Sequence, residues 1–433
     1  MSMAQKPLLV LFLLVTTLMM GQEAANAPIT INFHDALERA RRYGIELQTA
    51  NIATLLARED RIQAKAALLP QAQSFNQFIY TQPNGTPSGV FVANDGPHIY
   101  NIQGQVHEDL SFTKHAEYRR ALAAEILAQA KADIAARGIN VTLVSAYYAL
   151  VVAQRRVVNA RRSLDDARKF LDITQKQEAG GEAAHADVVK AELQRRQRER
   201  DLADAQLNID KSRLTLAVLI FPDFQQNFQV VDDLDQVTPL GPLAEMQSLA
   251  TSKSPELRAA QASLREGATE ISVARTGFLP ALSFDYFYGI DANQIALYNR
   301  DHLNNLGSVA QATLTIPLWT WGATQSKVRQ AELKQKQAQL ELTFAQRQLL
   351  ANLNSFYREA QLANTQLESL RNSVTLSEES LRLTILRYQA GEATALEVVD
   401  AQTTLAQARS AYDEGLVRYR LAQANLQTMT GSL

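Results

Sequence analysis

Apolar residues recur every seven positions over long tracts of this chain. Leu143, Leu150, Val157, Leu164 and Leu171 form one row, and Ala146, Ala153, Ala160 and Ala167 form the row three residues on. Towards the C-terminus, Val398, Leu405, Tyr412, Tyr419 and Leu426 pair in the same way with Ala401, Ala408, Gly415, Ala422 and Met429. A hydrophobic period of 3.5 is the signature of coiled-coil packing, and small residues in one row let neighbouring helices approach closely. The pattern predicts long helices over 114–178 and 323–389, followed by helices over 187–220 and 396–429. The breaks between them fall at Ala179-Gly180-Gly181 and at Gly391. Earlier helices are predicted over 33–68 and 242–278, stopped by Pro70 and Pro280, because proline lacks a donor and clashes with the preceding turn. The heptads by themselves fit a soluble four-helix bundle equally well.

Elsewhere the period changes from 3.5 to two. Phe284, Tyr286, Tyr288 and Ile290 alternate with Ser283, Asp285, Phe287 and Gly289. Ala310, Ala312, Leu314 and Ile316 alternate with Gln311, Thr313 and Thr315, and Ile102 and Val106 with Gln103, Gln105 and His107. Strands are therefore predicted over 71–80, 100–110, 281–290 and 309–318. One apolar and one polar face fit a transmembrane barrel with a wet lumen, the alternative being a surface hairpin packed on a core. About ten residues suffice for a tilted strand to cross a membrane. Four strands cannot close a barrel, for which about eight is the minimum, and open strand edges are not tolerated in lipid. If these strands cross a membrane, several chains share one barrel.

The same succession of elements occurs twice. Glu46-Leu47 returns as Glu256-Leu257, and Leu69-Pro70 as Leu279-Pro280. Gly181, Asp187, Val188, Val189 and Ala191 return as Gly391, Glu397, Val398, Val399 and Ala401, every pair 210 residues apart. Leu110 matches Leu318 at 208, which places a small length change in the middle segment. This divides the chain into a first repeat over 28–220, a linker over 221–242 and a second repeat over 243–433. A helix of about 65 residues is about 100 Å long, and two of about 35 residues stacked end to end match it. The expected form is a tube wall with a strand pair at one end and a tight turn at the other.

Residues 1–27 have a basic start at Lys6, an apolar run from Leu8 to Met20 and an Ala25-Asn26-Ala27 site. That is the form of an export signal, the alternative being an uncleaved anchor. Beyond it no stretch reads as a transmembrane helix. Lys and Arg number 43 against 45 Asp and Glu, a net charge of -2, which argues against nucleic acid as a partner. With no cysteine there is no disulfide framework, thiolate metal site or cysteine nucleophile. Only 12 Pro and 18 Gly weigh against a turn-rich all-β chain. Nucleotide-binding, zinc-protease and nucleophile-elbow motifs do not occur. His34, His98, His107, His115, His185 and His302 lack ligand spacing, so neither a cofactor nor a metal is expected. The run Arg195, Arg196, Arg198, Arg200 reads as a solvated helix face paired with acids such as Glu192, or else as a partner contact.

The whole pattern resembles the TolC-like outer membrane efflux proteins, or outer membrane factors. The most specific pieces are RYQAGEATALEVVDAQTTLAQA (387–408), IPLWTWG (316–322), SPELRAA (254–260) and the two Leu-Pro helix stops. The resemblance implies an α+β membrane fold. In it, a homotrimer shares a twelve-stranded barrel, with four transmembrane β-strands per chain, above a long coiled-coil α-helical tunnel in the periplasm. It implies a periplasmic adaptor and an inner-membrane pump as partners, outer-membrane lipid around the barrel, and a passive exit duct rather than an enzyme. A periplasmic structural coiled-coil protein without channel activity is the rival reading. HEDLSFTK (107–114) departs from the family pattern, which has an apolar-aromatic-glycine exit from the strand there.

The same resemblance supplies candidate site residues. Glu397 and Asp400 match the family's acidic pair at the tunnel constriction, and their spacing of three puts them on one helix face. Asp187 stands at the equivalent of Glu397, with Lys190 in place of the second acid. Tyr388 matches a tyrosine at the closed end. The family's neighbouring basic residue is replaced by Ala393, with Arg387 and Lys190 as substitutes. Gly181 and Gly391 mark the turns at which the family contacts its adaptor. Acids in a first helical turn also simply stabilise the helix dipole. The long connections 81–98 and 291–306 are expected to face the cell exterior.

Overall fold

A computed structural model describes residues 28–80, 98–236 and 238–431. The expected export signal (1–27) and most of the first expected outer loop (81–97) lie outside the described residues. The elements are β1 (Ile29–Ile31), α1 (Phe33–Tyr43), α2 (Ile45–Ala66), β2 (Gln71–Tyr80), β3 (His98–Ser111), α3 (Phe112–Ala179), α4 (His185–Ile220) and β4 (Phe228–Val230). They continue with α5 (Leu243–Lys253), α6 (Pro255–Thr276), β5 (Ala281–Ala292), β6 (Leu306–Thr315), α7 (Ala323–Gln389) and α8 (Ala395–Thr430).

The helices predicted over 33–68 and 242–278 are each broken once. Gly44 and Ser254 both adopt extended backbone between two helices. Ser254 is forced out of the helical region by Pro255, which then opens α6 at the position where its missing donor costs nothing.

Two compact units emerge, and each draws on both halves of the sequence. The first comprises the described residues among 28–48, 134–254 and 347–431. Its core gathers Leu143, Tyr147, Leu150 and Val151 of α3 with Leu216 and Ile220 of α4, Leu353 of α7, and Leu416 and Leu426 of α8. The rows of seven are the buried seams. An 18-residue window of α3 is apolar enough to cross a membrane by length and composition, and half of that window is buried in the fold. The expectation that no helix beyond residue 27 has such a composition is thus amended for α3. Between the repeats, 221–242 is not a loose tether: β4 pairs in parallel with β1, and Phe221, Phe228 and Leu234 are core residues. The Tyr147 hydroxyl donates to the Val231 carbonyl at 2.8 Å, and the Tyr419 hydroxyl to that of Thr238.

The second unit, 49–133 with 255–346, holds a four-stranded antiparallel sheet in the order β2-β3-β5-β6. Its helices form a layer in the same order. Arg61 of α2 pairs with Glu125 of α3, and Asp133 of α3 with Arg258 of α6. Glu270 and Arg275 of α6 pair with Lys334 and Glu332 of α7. The departure at 107–114 is resolved: β3 runs to Ser111 and α3 starts at Phe112, with no intervening turn. After β6, by contrast, seven residues (316–322) precede α7.

Candidate functional site

Two arrangements carry chemistry: the sheet faces of the second unit and a pair of turns in the first. On the sheet, the registers place Gln71, His107, Asp285 and Gln311 in one row across all four strands. Their face is polar and cross-linked by side chains. Gln73 donates to Gln105 at 2.7 Å, Gln105 to Asp285 at 3.1 Å, and His107 Nδ1 lies 2.8 Å from Asp285. On the opposite face Phe78, Tyr80, Ile102, Val106, Phe284 and Tyr286 are all exposed. Among the described residues, neither face of this sheet packs on a hydrophobic core.

The paired turns are copies of each other at the level of single hydrogen bonds. In the first, Gly180, Gly181 and Glu182 donate to the carbonyls of Lys176, Glu178 and Gln177. In the second, Ala390, Gly391 and Glu392 donate to those of Leu386, Tyr388 and Arg387. Gly181 and Gly391 have φ of 80° and 77°, the left-handed conformation that ends a helix and that glycine adopts without strain.

The helices that leave the turns start differently. Thr394 caps α8 in a full capping box: its hydroxyl accepts from the Glu397 amide while the Glu397 carboxylate accepts from the Thr394 amide. Those hydrogen bonds, and then the Arg387 guanidinium 3.7 Å away, hold the Glu397 carboxyl below its usual range. Ala184 stands at the cap of α4 and offers no side-chain bond, so Asp187 is left half-buried without a box. Asp400 and Lys190 are exposed.

Tyr388 faces inward. It is buried in a cluster with Phe170, Ala191, Leu381, Val398 and Leu405, edge-on to Phe170 at 5.2 Å. Burial, and more weakly the Asp187 charge, pushes its hydroxyl pKa up. The fold therefore brings Arg387 to Glu397 and Tyr388 beside Asp187, and leaves Asp400 and Lys190 to solvent.

Three contributors lay outside the sequence-based candidates. Thr394 has a readable signal, Thr-x-x-Glu. His185 Nδ1 lies 2.7 Å from Glu178 across the first turn. The Gln177 amide reaches the carbonyls of Tyr388 and Gln389, tying the two turns together. The arginine run is only partly the solvated face expected: Arg196 and Arg200 are exposed, whereas the Arg198 side chain is 13% exposed and donates to Thr403 of α8 at 3.0 Å, and Arg195 and Arg196 both bind Glu192, which lowers its pKa to about 2.

Residues 247–432 match the family model described as outer membrane efflux protein. This second part of the chain is thus an outer membrane efflux protein domain. Its relatives include the cobalt-zinc-cadmium resistance protein CzcC of Cupriavidus metallidurans, 26% identical over 69% of this chain and 67% of that protein. The proteases secretion protein PrtF of Dickeya chrysanthemi is 22% identical over 92% of this chain and 88% of its own length. In fold, the CmeC outer membrane channel of Campylobacter jejuni is similar at a TM-score of 0.80 and 16% identity, over 92% of this chain and 85% of that one. These likenesses place the chain among the exit ducts of the outer membrane, with a helical periplasmic part.

Proposed function

We propose that three copies of this chain form a passive duct, each giving β2, β3, β5 and β6 to one twelve-stranded barrel. The observation that carries this is the four-stranded sheet, which among the described residues has two open edges and one bare aromatic face. Such a sheet is stable in lipid only when its edges are closed by further strands, and four is too few to close alone. The aromatic face meets lipid, and the Gln, His and Asp rows line the lumen.

Nothing in this reading requires catalysis. Energy comes from an inner-membrane pump, coupled through a periplasmic adaptor that docks at the paired turns. The CzcC and PrtF relatives are named for metal resistance and for protease secretion, so cargo choice belongs to the pump rather than to the duct.

At the constriction, rings of Asp400 and Glu397 favour cations, as charged rings do in other pores. Glu397 is already engaged by Thr394 and Arg387. Asp400 therefore presents the freer charge, with Asp187, Lys190 and Tyr388 behind it.

The β5–β6 connection faces the outside. Asn304 within it is exposed and bridges to Tyr298. In this cysteine-free chain, Asn304→Cys is expected to react with a membrane-impermeant maleimide on intact cells. Reaction only after the outer membrane is ruptured would place the loop on the wrong side and remove the orientation.

A further inference from the structure

Where the sheet meets the helices, the second unit holds a hollow of about 540 Å³. Its main walls are the end of β3, the start of α3 and the end of α6. β3 is an inner strand of the sheet, and α6 leads into the other inner strand, β5. A single chain therefore builds the hollow.

Because β3 passes into α3 without a turn, one strand side chain and one helix stripe reach the same space. Glu108 comes from the strand. Phe112, His115 and Arg119, spaced by three and then four, come from one face of α3. Long side chains of a helix lean towards its N-terminus, which for α3 is the sheet end.

Glu108 is out of keeping with its own face of the sheet. In register it lies opposite Phe284. By alternation it shares its side of β3 with Val106 and Leu110, both exposed. It is thus a carboxylate on the aromatic face. Its Oε2 is shut off from water and has no hydrogen-bond partner among the described residues. A carboxylate oxygen in such surroundings is costly unless a cationic donor reaches the group. Across the hollow, Arg119 and His115 are exposed. Arg119 supplies a fixed positive charge and His115 a further ring N–H. Leu110, Phe112 and Leu279 give the hollow an exposed apolar rim. Glu108 also lines a second hollow, of about 350 Å³, beside Val106, Phe284 and Ala310 on the aromatic face.

A ligand that fits has an N–H-bearing cation for Glu108, an anion for Arg119 and a hydrocarbon chain. The helices mark the periplasmic side of the sheet, so the hollow stands level with headgroups of the inner leaflet. We infer that it holds a primary-amine phospholipid of the phosphatidylethanolamine class. The ammonium sits on Glu108, the phosphodiester on Arg119 and His115, and an acyl chain along the second hollow. This rests on the barrel reading for the lipid around the sheet. A phosphatidylglycerol headgroup would satisfy Arg119 but bring a second negative charge to Glu108. A choline headgroup carries the positive charge without an N–H to donate.

The test is native mass spectrometry of the delipidated protein in detergent, offered phosphatidylethanolamine, phosphatidylglycerol or phosphatidylcholine in turn. Bound lipid is counted per chain. Phosphatidylethanolamine is expected at one per chain, held at least about tenfold more tightly than the other two, as a charge-assisted hydrogen bond implies. Glu108→Gln is expected to remove that preference. Arg119→Ala is expected to weaken phosphatidylethanolamine and phosphatidylglycerol alike, and Asp301→Asn in the β5–β6 connection to change nothing. Equal retention of the three lipids, or a Glu108→Gln variant with the parent's preference, overturns the site. Phosphatidylglycerol held above phosphatidylethanolamine overturns the role of the amine. Should Glu108→Gln fail to assemble, the parent's preference for ethanolamine over choline decides alone. A monomeric mass sinks the trimer reading, while the count per chain still decides on the hollow.

Discussion

Arg155→Ala is expected to destabilise the helical part of this protein by about 3 kcal/mol, the lower end of what breaking a buried ion pair costs. Arg155 of α3 gathers three carboxylates that are distant in sequence. Its guanidinium donates to Asp232 and Asp235 of the inter-repeat segment at 2.7 Å each, and lies 3.4 Å from Asp413 of α8. Asp413 is 7% exposed at its side chain, and its other oxygen accepts from Asn159 at 3.0 Å. Removing the arginine leaves a buried carboxylate with two acidic neighbours and frees the segment that covers the core at Phe228 and Leu234.

Asp413→Asn has the opposite sign. Burial raises the Asp413 pKa; Arg155 opposes that, and Asp232 and Asp235 add to it. A carboxyl whose pKa is raised on folding binds its proton more tightly in the folded state. It therefore costs stability increasingly as pH climbs from the ordinary carboxylate value through the raised one, and by a constant amount above. The amide removes that cost while Arg155 keeps its other two partners. Its chemical-denaturation midpoint, followed by helix circular dichroism, is expected at or above the parent's at neutral pH. The gain should shrink as pH falls into the range where Asp413 itself takes up a proton. A midpoint well below the parent's at neutral pH would show that the charge, not the hydrogen bond, holds α8 in place.

The second large effect is on transport. Gly181→Val with Gly391→Val places β-branched residues at φ near 80°, where a side chain costs about 1–2 kcal/mol per position. A Cβ at either site meets nothing within 4 Å. The strain is thus confined to the backbone of the turns, and the seams behind them, from Val398 to Leu426, stay packed. Trimer yield is expected to survive while adaptor co-purification and export are lost. Asn at both positions tolerates the left-handed conformation and is expected to retain more of both. If the valine variant still holds the adaptor and exports as the parent does, docking at the turns is wrong.

The elements with local signals were legible in the sequence. The seven-residue rows locate α3, α4, α7 and α8 to within one or two residues, and alternation with proline stops locates β2 and β5. What depends on distant partners was not. β1 and β4 have three residues each and exist only as a pair across roughly 200 positions, beyond any periodicity. Nothing near Arg155 in sequence announces that Asp232, Asp235 and Asp413 converge on it. At the proposed constriction, spacing put Glu397 and Asp400 on one helix face, but the division of labour needed the fold. Thr394 and Arg387 engage Glu397, whereas Asp400 stays free. Tyr388 lines up with a family position, yet here it fills the cluster around Phe170.

The duct itself is tested most directly by single-channel recording of the purified trimer in a planar bilayer. Discrete conductance steps with a cation preference are expected, blocked by multivalent cations from the side that carries the paired turns. Glu397→Gln with Asp400→Asn should weaken both the preference and the block, with Asp400→Asn alone giving most of the change. Trimers that insert but never conduct, or a protein that stays water-soluble without detergent, would contradict the account.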